Sequence, residues 1–539
     1  MLLSIIGFVC ILGPLVVVHE LGHFFFARLF GVKAEVFSVG FGPKLWSRQR
    51  GETEWCLSAI PLGGYVKLLG EEPGQELPPE LLSRSLQRQA RWKRFFIFFG
   101  GPLFNFIFAA LLFMALQVIG EDQVTSRIGR VLPGSAAEAV GLRSGDRILA
   151  VNGRPVTKFD EIESEIAELA GLDAEITVER SGAPGPLALR ARIGSEEGYS
   201  SFGEKKPVGS LAGILPAGRE AQVGVSDPSS EAGRAGVKTG DRIATWNGRP
   251  VQDFEEVEAW YLVTQPREAV ELGILSGGRT LKLRMVRPAG TKTLGELTGL
   301  HSSELFVEKV VEKSPAEQVG LQKGDRVVSV NGVAVRSFFE LRDQVQKGGE
   351  AGPKVEISWE RGGQLMKREV APSVTTVRDP ELAKTRQYTV GIYPMLAWSR
   401  AETFIERTFN PVKVVSVGIS RMVTLSWRNL VSLGKMVVGD VSVRSLGGPI
   451  LIGKIAGESM SRGLVTFLGT MAILSIGLGV LNILPIPVLD GGHILLLGIE
   501  AIRRKPLQMR QLEVIQQVGL ALVLLLMIIV MRNDLTRLF

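Results

Sequence analysis

The sequence predicts a polytopic α-helical membrane protein with four transmembrane helices, a β-hairpin after the first, and three small β-rich domains inserted between the second and third. Three observations carry this reading. Hydrophobic residues make up an ordinary 45% of the 539 residues, yet the mean hydropathy is +0.20, because apolar runs crowd the two ends of the chain. One turn-rich pattern recurs three times between those ends. A chain of this length is also too long for one core.

The first predicted span, residues 1–28, has no Lys or Arg before Arg28. It lacks the charged start and small-residue cleavage site of a signal peptide, so it is expected to be retained. Residues 29–94 carry Lys33, Lys44, Arg48, Arg50, Lys67, Arg84, Arg88, Arg91, Lys93 and Arg94, which places them on the cytoplasmic side. Within them AEVFSVGFGPKLW and TEWCLSAIPLGGYVKLL read as a glycine-interrupted hairpin, whose free edge can take an added strand. The second span covers 95–119.

The next three domains are expected at 124–198, 205–290 and 296–375. GLRSGDRILAVNGRPV, GVKTGDRIATWNGRPV and GLQKGDRVVSVNGVAV align without a gap, making Asp146, Asp241 and Asp325 equivalent. Gly-Asp marks a turn before a half-buried strand, and Asn-Gly marks the next turn. VVEKSPAEQVGLQKGDRVVSVNGVAV resembles PDZ domains of the bacterial, protease-associated type. That resemblance implies a groove binding extended peptides by strand addition; the alternative is that some copies only pack or block access.

Residues 376–462 read as an amphipathic linker along the outer surface, placed to gate entry. The third span covers 463–485, a cytoplasmic-side loop 486–511, and the fourth span 512–531. Arg503, Arg504, Lys505 and Arg510 lie in that loop, so the N-terminus and the three domains face outward.

The net charge of +7 and pI near 9.3 do not indicate nucleic acid. The cations flank spans, and no aromatic-interleaved basic patch appears. Only Cys10 and Cys56 are present, which excludes a disulfide framework or a cysteine-based zinc site.

HELGH lies inside the first span. His19 and His23, four residues apart on a helix, share a face and can reach one ion. Glu20 lies on the adjacent face, where a general base belongs. An ionised glutamate in a span costs about 2.5 to 3.5 kcal/mol on insertion scales, so a function is expected of it. With Arg28 at the interface, the two histidines lie about 7 and 13 Å inside it.

A catalytic zinc takes three protein ligands and leaves a fourth position open. Of the remaining histidines, His301 lies outside the spans and His493 follows the third. Asp490 and His493 are both candidates by position. Pro485 and Pro487 end the third helix and Gly491 and Gly492 permit a turn; irregular backbone at that depth must be buried in protein or line a watery cavity.

HELGH, GGPLFNF at 100–106 and NILPIPVLDGGH at 482–493 together resemble the site-2 protease family of intramembrane zinc metalloproteases, in particular its bacterial, sigma-factor-regulating branch. FSVGFGPKLW, IPLGGYVKLLGE and GDVSVRSLGGPI extend the likeness. The resemblance implies a Zn2+ held by His19, His23 and Asp490, with His493 a neighbour and Glu20 catalytic. It implies that Asn482, Pro485 and Pro487 contact the substrate backbone, and that the hairpin is membrane-re-entrant. It further implies a multi-pass bacterial inner-membrane protein with periplasmic PDZ-like domains and an active site near the cytoplasmic side. The expected partners are the lipid bilayer, peptide ligands of the PDZ-like domains, and single-span substrates such as anti-sigma factors or remnant signal peptides, trimmed first by an outer cut.

The family pattern has two PDZ domains where this sequence has three, which leaves their filtering role open. Two other readings compete: a non-catalytic scaffold presenting PDZ domains, which has no use for Glu20, and a zinc transporter, which would need a path of further intramembrane ligands.

Overall fold

The computed structural model describes residues 2–71, 77–199, 205–378, 384–443, 446–505 and 507–538. Residues 379–383 and 444–445 of the expected linker, and 506 of the expected loop, lie outside that set. The chain divides into two compact bodies. One comprises Met1–Asp122, Tyr199–Lys205 and Ile405–Phe539; the other comprises Gln123–Gly198 and Lys206–Phe404.

In the first body, α1 (Leu2–Leu29) leads through β1 (Ala34–Arg50) and β2 (Thr53–Leu68) to α2 (Arg91–Ile119). The chain returns as α3 (Pro411–Val438), α4 (Pro449–Ser461), α5 (Leu464–Ile483), α6 (Asp490–Arg503) and α7 (Met509–Leu538). Among the described residues, four helices are long and apolar enough to cross a membrane: α1, α2, α5 and Arg510–Thr536 of α7. Each meets the ~20-residue requirement of the hydrocarbon core. The second begins four residues before the expected 95, because Arg91, Trp92, Lys93 and Arg94 continue the helix with cationic and aromatic side chains that suit an interface.

Ile11 and Leu15 of α1, Leu112, Phe113 and Leu116 of α2, Ala456 of α4, and Met471, Ala472 and Ile476 of α5 form one buried cluster. A second cluster joins Ala27, Phe37, Val66, Leu68 and Ile97, anchoring the hairpin to α1 and α2. The hairpin is bent: Val36–Val39 pair on one side with Lys67–Gly64 and on the other with Glu54–Leu57.

Two expectations are corrected here. The segment 486–511 is not only a loop, because α6 occupies most of it. Asp490 in its first turn suits the positive helix end, and Leu497 is buried. The 376–462 segment is also more than a linker. Its α3 starts at Asn410, whose side chain accepts from the Val412 and Lys413 N–H groups. Gly418 of α3 meets Ala110 and Met114 of α2, while Val412, Ile419, Val423 and Leu430 are exposed.

The second body contains three four-stranded sheets with one repeated order. In the first, Arg154–Pro155, Arg147–Val151, Asp173–Glu179 and Leu187–Arg192 lie side by side. Arg249–Pro250, Arg242–Trp246, Ala269–Ser276 and Arg279–Val286 repeat it, as do Val333–Ala334, Arg326–Val330, Val355–Arg361 and Gln364–Val370. The Asn-Gly turns explain the repetition. Asn152, Asn247 and Asn331 have φ of 48°, 50° and 49°, a region asparagine tolerates. Each side-chain oxygen accepts a backbone N–H of the next long strand, from Glu175, Glu271 and Glu356, at 2.8 Å.

Pairing runs past the expected domain ends at 198, 290 and 375. Ile214–Leu215 pair with Arg130–Val131, His301–Ser302 with Val223–Gly224, and Ile392–Pro394 with Val307–Val310. Strands of two or three residues carry too little alternation to announce themselves.

Candidate metal centre

α1 makes two full turns between Leu15 and His23, so His19 and His23 project from one face, and α2 passes close enough to seal it. That approach depends on the absence of side chains: a Cβ on Gly22 would come 2.1 Å from the Gly100 carbonyl oxygen. A Cβ on Gly101 would come 2.4 Å from His23 Nε2 and 2.7 Å from His19 Cε1.

The third group arrives from the turn after α5. Ile486 N–H donates to the Leu484 carbonyl, and Leu489 N–H to that of Ile486, folding the Pro485–Pro487 segment back. Val488 sits at φ 91°, an unfavourable conformation for a β-branched residue. Gly491 follows under the end of α5, where any Cβ would lie 2.2 Å from the Ile483 and Leu484 carbonyl oxygens. This places Asp490 opposite the histidines.

His19 Nε2 lies 3.1 Å from Asp490 Oδ2, His23 Nε2 lies 3.4 Å from Asp490 Oδ1, and the two Nε2 atoms are 3.2 Å apart. These distances use both carboxylate oxygens; with one ligand atom taken from each residue, the three lie within 4.8 Å of one another, close enough to converge on one cation, for which the edge of a tetrahedral zinc site with bonds of 2.0 to 2.2 Å is about 3.4 Å. Among the described residues, this is the group of three or more His, Cys, Asp or Glu residues close enough to share an ion. The donors, two imidazoles and a carboxylate, are those zinc accepts.

The surrounding groups follow. His23 Nδ1 is 2.8 Å from the Ile97 carbonyl oxygen, which fixes the ring with its Nε2 toward His19. His19 Nδ1 is 3.1 Å from the Asn105 amide nitrogen. Asn482 Nδ2 is 3.3 Å from His19 Nε2, so this residue borders the centre. Glu20 is half-buried beside it, against Gly64 of β2, where an added Cβ would come 3.2 Å from its Cγ. Pro485 and Pro487 shape the turn before Asp490. His493 is outside the cluster; its ring stacks on Phe98, with centroids 4.7 Å apart. His301 belongs to the other body.

The Ile97 carbonyl at His23 is a backbone group that no side-chain pattern can signal. Gly101 is visible in GGPLFNF as one of a glycine pair, without a sign of what it faces.

Two histidines and an acid that can hold one ion between apolar helices, with a glutamate alongside, define a metallopeptidase set among membrane helices. The family model of peptidase family M50 matches residues 7–526. A relative from Neisseria meningitidis, whose name carries the words zinc metalloprotease, is 32% identical over 538 residues, 99% of each chain. The regulator of sigma E protease of Haemophilus influenzae is 30% identical over 536 residues, and protease RseP of Yersinia pestis 29% over 537, again covering 99% of each chain. Among solved structures, a PDZ domain of an SdrC-like protein from Listeria monocytogenes is 20% identical, covering 17% of this chain and 88% of that one, with a TM-score of 0.14. The chain belongs to peptidase family M50. It is a zinc-dependent metalloendopeptidase with several membrane helices.

Proposed function

We propose that this protein is an intramembrane endopeptidase that cuts the transmembrane segment of single-span proteins in regulated intramembrane proteolysis. The observation that carries the proposal is the convergence of His19, His23 and Asp490, whose ligand atoms lie within 4.8 Å of one another, beside Glu20.

His19, His23 and Asp490 are assigned as the zinc ligands. Zinc, when bound, brings a water toward neutral pKa and polarises a peptide carbonyl. Glu20 is the general base: it takes the proton of the attacking water and delivers it to the leaving amine. Asn482, with its amide at the rim of the centre, donates to the oxyanion that develops on the substrate, and the Pro485–Pro487 turn contacts the substrate backbone.

A helical substrate hides its peptide groups in its own hydrogen bonds and must be opened before attack. The bent β1–β2 hairpin, read as membrane-re-entrant, supplies an edge on which the opened segment pairs. The three repeated modules, read as PDZ-like and periplasmic, exclude substrates that still carry a bulky outer domain. Membrane-anchored anti-sigma factors and remnant signal peptides are the substrate classes this reading favours, with the centre on the cytoplasmic side of a bacterial inner membrane.

The test is co-expression of the chain, or its Glu20→Gln form, with a single-span substrate lacking its outer domain. Processing by the parent alone is expected; equal processing by both would remove the assignment of Glu20. Deleting residues 124–375 is expected to admit substrates that keep the outer domain, and continued rejection of them would overturn the filter.

A further inference from the structure

We infer that Asn105 is a positioning residue of the metal centre, whose side-chain carbonyl selects the His19 tautomer that turns an unprotonated Nε2 toward His23 and Asp490. The inference rests on the proposed role of His19 as a ligand. Asn105 is fully buried in α2. Its backbone carbonyl accepts a hydrogen bond from Ser475 Oγ of α5 at 2.8 Å, so the residue is fixed between two membrane helices. Its amide stands 3.1 Å from His19 Nδ1, and its Oδ1 is buried without a partner among the described residues.

That orphaned oxygen carries the argument. A neutral imidazole offering Nε2 to a cation holds its proton on Nδ1, and this N–H needs an acceptor. An amide nitrogen only donates. The orientation with Nδ2 toward the ring therefore matches the opposite tautomer, in which Nε2 carries the proton and points at Asp490, 3.1 Å away. Turning the amide over puts Oδ1 on Nδ1–H. The two ends of an amide are nearly alike in size, so the turn needs no additional space.

The arrangement at His23 supports this division of labour. There the Ile97 carbonyl receives the Nδ1 proton at 2.8 Å, a role the backbone performs whatever the side chain. At His19, among the described residues, no backbone carbonyl takes that place, and the Asn105 side chain is the group that meets Nδ1. A purely packing role for a buried asparagine would be served as well by leucine; an acceptor role would be served by aspartate.

The experiment measures zinc affinity of the full chain in detergent by competition with a chelator, with the visible spectrum of the Co2+-loaded protein as a report on ligand geometry. Asn105→Leu and Asn105→Ala are expected to bind zinc about 10- to 100-fold more weakly, the usual cost of losing a partner behind a metal-bound histidine, with an altered Co2+ spectrum. Asn105→Asp is expected to keep the parental affinity and spectrum. Parental affinity in both apolar variants, or an Asp variant as weak as they are, would overturn the acceptor role. If the Leu form is not recovered from membranes, the Ala form decides in its place. A parent chain that takes up no zinc would instead overturn the metal reading itself, and this inference with it.

Discussion

The centre depends on what residue 101 lacks. An alanine methyl there would stand 2.4 Å from His23 Nε2 and 2.7 Å from His19 Cε1, inside van der Waals contact with both proposed ligands. Either the rings swing off their shared point or α2 moves away from α1. Gly101→Ala is therefore expected to lose stoichiometric zinc, read by elemental analysis of the purified chain. Gly13→Ala on α1, where an added Cβ meets nothing within 4 Å among the described residues, is expected to retain it. Equal zinc content in the two would mean that the packing of α2 does not define the site. The same contrast shows what a sequence can disclose at this scale. His19, Glu20 and His23 were legible because helical geometry converts a spacing of four into a shared face. Asp490 and His493 were indistinguishable by position, since which of them turns toward α1 is decided by the fold of the Pro485–Gly492 turn. Gly101 was visible as a letter, but no periodicity states what a glycine faces.

Among the elements, the four spans were legible because an apolar run of about 20 residues has few alternatives, and the hairpin was legible from its glycine-interrupted apolar strands. α4 and α6 were not resolved within their segments, being short helices whose stability comes from neighbours. α4 shows how. Near the end of α7, the Asp534 carboxylate accepts from the N–H groups of Gly448, Ile450 and Leu451 at 2.8, 3.0 and 3.1 Å. A side chain from a different helix thus satisfies the donors that a helix start leaves open. Asp534→Ala removes all three acceptor contacts, where a lost cap typically costs about 1 kcal/mol or more. Amide exchange across 448–461 in the full chain is expected to accelerate several-fold, with α5 unchanged; uniform exchange along both helices would assign the capping elsewhere. A contact between residues this far apart in the chain leaves no local trace, so α4 could be anticipated only as part of an amphipathic stretch.

For the molecule as a whole, the second body is bound by charge as well as by its three apolar cores. Arg130 and Arg219 both donate to Glu304 Oε1 at 2.7 Å, Arg219 also holds Glu255 at 2.7 Å, and the second Glu304 oxygen accepts the Phe338 N–H at 3.1 Å. Arg130 and Glu304 are each about 1% exposed, so these charges depend on one another. Glu255 sits in the first turn of the helix Phe254–Val263, whose N-cap is Asp253. There burial holds the Asp253 carboxyl above its ordinary 3.8, to about 6; the Glu256 N–H opposes the rise, the Glu255 and Glu256 carboxylates add to it, and Arg127 also opposes it. A raised carboxyl pKa means that the fold prefers the protonated form. The associated stability is complete below about pH 4, declines as pH rises toward 6, and is absent above. Asparagine keeps the capping oxygen that accepts from Glu256 without the charge. Asp253→Asn is therefore expected to make this body more stable than the parent at pH 7, with the difference closing as pH falls to 4. The measurement is amide exchange of residues 254–263 in the full chain at both values. A constant difference across that range, or one that grows toward pH 4, would show that ionisation of Asp253 is not held back by the fold.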